Sequence, residues 1–223
     1  MLELLTITFR DLLNPEFYIQ HGGIFLLLFI VFAETGLLIG FFLPGDSLLF
    51  VAGIYSTELA NEIVVMHNDV LNLLLLVILI STAGILGNYL GYWFGKKSGP
   101  FIFHRKDTFF FKKKYLHQAH DFYEKHGGQA IVFARFLPII RTFAPIIAGI
   151  VSMERKKFTY YNIIGCIAWV STMLIAGHYL YTIILNTFHF NLKAHLELIV
   201  LGIVLVTTLP ILIKIFSKRK KKD

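Results

Sequence analysis

Two apolar stretches of this chain each carry two ionisable residues beside a proline. The first runs from Phe32 to Ser47 and holds Glu34 and Asp46, with Pro44-Gly45 between them. The second runs from Ala134 to Pro145 and holds Arg135 and Arg141 on either side of Pro138. At mid-bilayer such a group costs about 2.5–3.5 kcal/mol on insertion scales. Four independent groups would cost roughly 10–14 kcal/mol, comparable to the whole stability of an ordinary fold. The four must therefore pair with one another or face a wet cavity. Broken helices carrying charge at membrane depth are tolerated only inside protein or along a cavity. In transporters, paired interrupted segments of this kind point to the binding site.

Composition supports a membrane setting. Of 223 residues, 56% are hydrophobic, and the mean hydropathy is +0.68. That is too apolar for an ordinary soluble domain and leaves room for one polytopic membrane domain. The single cysteine, Cys166, excludes an intrachain disulfide. Met1-Leu2-Glu3-Leu4-Leu5 has no basic region ahead of its apolar residues, so a cleaved signal peptide is not expected.

The net charge of +7 is concentrated. Lys96, Lys97, Arg105, Lys106, Lys112–Lys114 and Lys125 form one cluster, Arg155–Lys157 a second, and Lys214 with Lys218–Lys222 a third. The clusters flank apolar spans, as the positive-inside rule requires, and no nucleic-acid motif accompanies them. Nucleic acid is therefore not an expected partner.

Three spans follow from hydropathy: Val70–Phe94, Phe158–Leu185 and a shorter one within residues 195–217. Parity decides the odd segments. If the first two basic clusters are both cytoplasmic, Gly128–Val151 cannot cross once. Pro138 and Pro145 also oppose one continuous helix there. The economical solution is a re-entrant hairpin from the cytoplasmic side. Gly23–Tyr55 is too long for one crossing at 1.5 Å per residue, and Pro44-Gly45 interrupts it. Ser56–Asp69 holds acids and no Lys or Arg, which suits an outer loop. This favours a second hairpin open to the outside, although a conventional crossing of residues 24–43 also fits.

The expected fold is all-α. It has two inverted repeats over residues 23–95 and 128–185, each a re-entrant helical hairpin plus a transmembrane helix. A final span over 195–217 and a basic tail over 218–223 follow. An interfacial helix is expected over 1–20, and a basic, amphipathic cytoplasmic linker over 96–126. The C-terminus is then cytoplasmic.

Several groups invite chemistry. A break at Pro138 lets Arg135 and Arg141 turn into one cavity. Arginine stays charged and grips phosphate with a fork of donors. Glu34, deep in an apolar run, can serve as a proton switch. Asp46 reads either as its partner or as the N-cap of a helix over Ser47–Tyr55. Gly87, Gly91 and Gly95 form a small-residue ridge for close helix contact. Asn88 on that span packs or reaches the cavity, which Pro44, Pro138 and Pro145 would also line. His178 reads as a satisfied polar group within its span. His117 and His120 have too few companions for a metal site. No nucleophile triad, Gly-rich nucleotide loop or two-metal acid cluster is present in order, so neither an enzyme nor a cofactor is expected.

These residues resemble the DedA family of bacterial membrane proteins, related to the VTT-domain lipid scramblases of eukaryotes. Three motifs carry the resemblance. They are Glu34 with Phe42-Leu43-Pro44-Gly45-Asp46; Gly87-Asn88 with Tyr92 and Gly95-Lys96; and Phe133-Ala134-Arg135-Phe136-Leu137-Pro138 with Arg141-Thr142, Pro145 and Ala148-Gly149. The resemblance spans about residues 20–185. Asn88 stands where many members have Asp, so no acid–base role is carried over to it. The family implies a paired-hairpin fold in the bacterial inner membrane and movement of lipid headgroups between leaflets. Undecaprenyl phosphate and phosphatidylethanolamine are the implied cargoes. It also implies coupling to protons through Glu34, Asp46, Arg135 and Arg141. Membrane lipid and protons are thus the expected partners, and a homo-oligomer is compatible with the reading. A proton-coupled transporter of a small molecule or ion is the alternative class.

Overall fold

The computed structural model of the protein describes residues 15–37, 45–104 and 128–188. Pro44, most of the 96–126 linker with His117 and His120, the final span and the basic tail lie outside the described residues, as do residues 1–14 of the expected surface helix. Seven α-helices and no strand make up the described part: α1 Pro15–Gly36, α2 Gly45–Ile54, α3 Ser56–Asn61, α4 Asp69–His104, α5 Gln129–Ala134, α6 Pro138–Ile150 and α7 Arg155–Phe188.

Local chemistry sets the ends of these helices. α4 begins at an Asn cap: Asn68 Oδ1 accepts from Val70 N–H at 2.9 Å and Leu71 N–H at 3.2 Å. Asp69, in its first turn, suits the positive end of the helix. Pro138 opens α6, where its missing N–H removes no helix bond. Pro145 lies inside α6 without ending it, which corrects the expectation that both prolines break the chain. The interruption is the turn at Arg135–Leu137 alone. Asp46 lies in the first turn of α2, where a carboxylate suits the positive end of the helix. The acidic stretch after Tyr55 is also partly helical, as α3.

α1 is broken where glycine alone fits easily. Gly23 adopts φ 54°, ψ −150°, a conformation that L side chains rarely take. The break releases Ile24 N–H from its helical partner, and Glu62 Oε2 accepts from it at 2.9 Å. A side chain at position 23 would also meet that carboxylate. The expected surface helix over 1–20 therefore runs, from Pro15, into the apolar helix across a kink.

Among the described residues, two stretches are long and apolar enough to cross a membrane: Asp69–Gly99 and Arg155–Tyr181. Their outward faces carry Leu74, Ile78, Leu86, Ile163, Ile167 and Ile175, all exposed. Apolar groups outward and polar groups inward is the pattern that a lipid solvent selects. α6 repeats it, with Ile140 and Phe143 exposed but Arg141 and Thr142 buried.

The chain forms two compact units. Among the described residues, one gathers 15–26, 45–73 and 173–188; the other gathers 27–37, 74–104 and 128–172. In the first, α2 and α7 approach through bare backbone. A Cβ at Gly53 would strike the Leu174 carbonyl, and one at Gly177 would strike that of Phe50. Ser56 Oγ and His178 Nδ1 lie 2.9 Å apart in the same unit, so His178 is a hydrogen-bonded group within its span.

In the second unit, α4 and α7 run antiparallel. Cys166 Sγ donates to the Ser81 carbonyl at 3.4 Å, Asn162 to that of Ile85 at 3.3 Å, and Tyr89 to Thr159 Oγ1 at 2.5 Å. The Tyr92 ring stacks on Phe158 with centroids 4.4 Å apart. Lys96 and Lys97 thus lie at the same end as Arg155–Lys157, as the parity argument requires. The glycine ridge of α4 is the seam. Gly87 abuts Thr35 and Gly36 of α1, while Gly95 abuts the Ile146 carbonyl of α6. The segment from α5 to α6 starts with Gly128 against Tyr161 and ends with Ile150 against Gly99.

Filling the ridge should separate the helices. Gly95→Leu is expected to cost about 1–3 kcal/mol through overpacking, read as a lower unfolding midpoint in detergent. An unchanged midpoint would show that the seam is not close-packed.

Candidate functional site

The buried charged residues among those described are three, and all belong to the second unit: Glu34 at 2% exposure, Arg135 at 4% and Arg141 at 7%. Each arrives on a different piece of backbone. Glu34 sits near the C-terminus of α1. Arg135 follows α5 at the turn, and Arg141 occupies the first turns of α6. The turn permits both arginines to point inward, because a continuous helix would set residues six apart on different faces.

Arg141 Nη2 donates to Glu34 Oε1 in a buried ion pair. Its guanidinium also lies over the Trp169 ring, 4.8 Å from the centroid. That face is electron-rich and attracts a cation, more strongly where water is excluded. Trp169 is itself fully buried on α7.

Arg135 has different company. Its Nη2 donates to Asn162 Oδ1 at 2.5 Å. Asn88 Nδ2 donates to the same oxygen at 2.7 Å. With the Asn88 amide turned over, its nitrogen donates to the Thr35 carbonyl at 3.2 Å and its oxygen faces Arg135, but that oxygen then also lies 2.7 Å from Asn162 Oδ1. Either orientation keeps Asn88 beside Arg135. Arg135 Nε is buried and has no hydrogen-bond partner among the described residues. A Cβ on Gly165 would lie 3.0 Å from Arg135 Cδ and 3.2 Å from Nε, so a larger residue there would press on the arginine stem.

Of the residues singled out by sequence, Glu34, Arg135, Arg141 and Asn88 come together in this unit. Asp46 is partly exposed at the start of α2 and belongs to the other unit. Pro138 opens α6. Pro145 packs beside α4, where a Cβ on Gly91 would sit 3.5 Å from its Cβ. Asn162, Gly165 and Trp169 were missed. Their signal was spacing: Asn162, Cys166 and Trp169 recur at i, i+4 and i+7 and so share one face of α7. Among the described residues, no group of His, Cys, Asp and Glu is arranged to hold a metal.

Comparison with known proteins agrees with this architecture. The VTT domain matches residues 43–179. Protein DedA of Escherichia coli K12 is 39% identical over 212 residues, covering 94% of this chain and 90% of its own length. An uncharacterised membrane protein of Mycobacterium tuberculosis H37Rv is 36% identical over 209 residues, covering 91% and 86%. The E. coli inner membrane protein YqjA is 29% identical over 173 residues, covering 77% and 73%. No solved structure matches. An all-helical membrane protein is the class that these observations define. The chain belongs to the DedA family, whose shared unit is the VTT domain.

The ion pair yields a direct test. Glu34→Gln takes the carboxylate from a buried guanidinium, and Arg141→Gln does the converse. Each is expected to cost about 3–5 kcal/mol. The double replacement should cost less than the sum, with a coupling of about 1–3 kcal/mol in denaturant titrations. Additive losses would show that the two side chains do not interact.

Proposed function

We propose that the protein is a lipid translocase of the bacterial inner membrane, not an enzyme, and that it moves a polyprenyl phosphate such as undecaprenyl phosphate between leaflets. One observation carries the reading: the buried charges described are two cations and one anion. A buried charge without a counterpart is costly, and its natural complement is an anion brought by the substrate. Arginine forks match phosphate oxygens in geometry as well as charge.

In this reading the segments around Arg135–Leu137 and Pro44 form two re-entrant hairpins of opposite orientation, with the basic end of α4 and α7 and the C-terminus in the cytoplasm. The phosphate sits against Arg135 and Arg141 while its apolar tail remains in the bilayer. Glu34 balances Arg141 when the site is empty and yields when phosphate enters. Protonation of Glu34, and of Asp46 from the outer hairpin, couples the cycle to the proton gradient.

A phosphomonoester suits the site better than phosphatidylethanolamine. The amine of that lipid needs a carboxylate of its own, and Glu34 is engaged by Arg141. The test uses purified protein in liposomes containing labelled undecaprenyl phosphate, with phosphatidylethanolamine as the comparison lipid. Headgroup access to an impermeant reagent gives the transbilayer rate. Wild type is expected to accelerate the phosphate lipid, with Arg141→Ala losing at least about tenfold. Equal rates for both proteins, or none above empty liposomes, would refute the function.

A further inference from the structure

The two arginines are not equivalent. Arg141 has a carboxylate, Glu34, and an aromatic face, Trp169. Arg135 donates to the neutral amide of Asn162 and lies beside the Asn88 amide and the Cys166 thiol, with no carboxylate among these neighbours. Arginine does not give up its proton under any condition in which the protein works. Arg135 is therefore a permanent buried cation, while the charge of Arg141 is already balanced.

The surroundings hold Arg135 in that condition. Asn162 is completely buried on α7. Its Nδ2 donates to the Ile85 carbonyl of α4 at 3.3 Å, and a carbonyl can only accept. That contact fixes which end of the amide is nitrogen. Asn162 Oδ1 must then face Arg135, which it meets at 2.5 Å. The oxygen orients the guanidinium without neutralising it. An aspartate in the same place would supply the missing negative charge. Among the described residues, Cys166 and Arg141 are the ionisable groups that act on Arg135. Arg141 repels it, which increases the pull on an anion. Arg135 Nε, buried and without a described partner, is a donor left for a ligand.

We propose that Arg135, oriented by Asn162, is the standing anion seat of this chain for a phosphomonoester, separate from the charge-balanced Arg141–Glu34 pair. This rests on the phosphate reading given above and assigns its first contact. Asn162 acts as a positioning residue through Arg135. An arriving phosphate engages Arg135 without first displacing a carboxylate, and the Arg141–Glu34 pair responds afterwards.

The experiment measures affinity by calorimetry on the full-length protein in detergent micelles. The probes are farnesyl monophosphate, inorganic phosphate and farnesol. Wild type is expected to bind farnesyl monophosphate and not farnesol. Weak binding of inorganic phosphate would assign the seat to a lipid headgroup, and equally tight binding would assign it to free phosphate; both support an anion seat. Arg135→Gln and Asn162→Asp are each expected to weaken farnesyl monophosphate binding by at least about tenfold. The Asn162→Asp protein supplies the cation with a counter-charge, so it remains a test if Arg135→Gln does not fold. Asn162→Ala removes the orienting oxygen but adds no charge, and it should bind the phosphate more tightly than Asn162→Asp. A purely packing role for Asn162 predicts the reverse, because aspartate is the closer isostere. The joint replacement Glu34→Gln with Arg141→Gln should lose less affinity than Arg135→Gln does. A loss under tenfold for Asn162→Asp, or a joint replacement as damaging as Arg135→Gln, would overturn the seat. If wild type does not distinguish farnesyl monophosphate from farnesol, the phosphate reading itself fails and the seat falls with it.

Discussion

A single buried ion pair, Glu34 with Arg141, explains why two sequence segments more than a hundred residues apart must meet. Neither residue is tolerable alone at the depth where its apolar neighbours hold it. Pairing them fixes the end of α1 against the start of α6. The pair is not a reason for high stability, since a well-packed apolar substitute often serves as well. Its consequence is specificity of arrangement. The helices that bring the two groups together have to be broken at the right places, and they are.

The broken places depend on small residues and on capping. The ridge of Gly87, Gly91 and Gly95 lets α1 and α6 come close to the backbone of α4. Without that seam, Glu34 and Arg141 could not meet across the unit. The turn at Arg135–Leu137 redirects the chain before Pro138 restarts it as α6. At the other break, Gly23 bends α1, and Glu62 satisfies the N–H that the bend exposes. At Gly23 the polar group that the break frees thus has a side-chain partner, as buried backbone requires.

The sequence made the site's charges legible because charge in an apolar run has few harmless explanations. Glu34, Arg135 and Arg141 stand out for that reason, and the glycine ridge stands out by its spacing. Asn162 and Trp169 did not stand out. An uncharged amide and an indole raise no alarm inside a long span, and only a helical wheel of α7 sets them on the face that carries Cys166. Pro145 was misread because a proline inside a helix usually ends it; here it lies on the α4 side, and the helix continues. The role of Glu62 was hidden because it depends on the φ of Gly23, a backbone property that no side-chain pattern announces. Asp46 stands out by its charge beside Pro44-Gly45, and it lies at the start of α2.

The central claim is that a phosphate group draws Arg141 away from Glu34. Isotope-edited infrared difference spectroscopy reads the state of that carboxylate directly. Adding farnesyl monophosphate to the wild-type protein should change the Glu34 carboxylate band. Farnesol should leave it unchanged, and Glu34→Gln should abolish the signal. Binding of the phosphate with an unaltered Glu34 band would contradict the account.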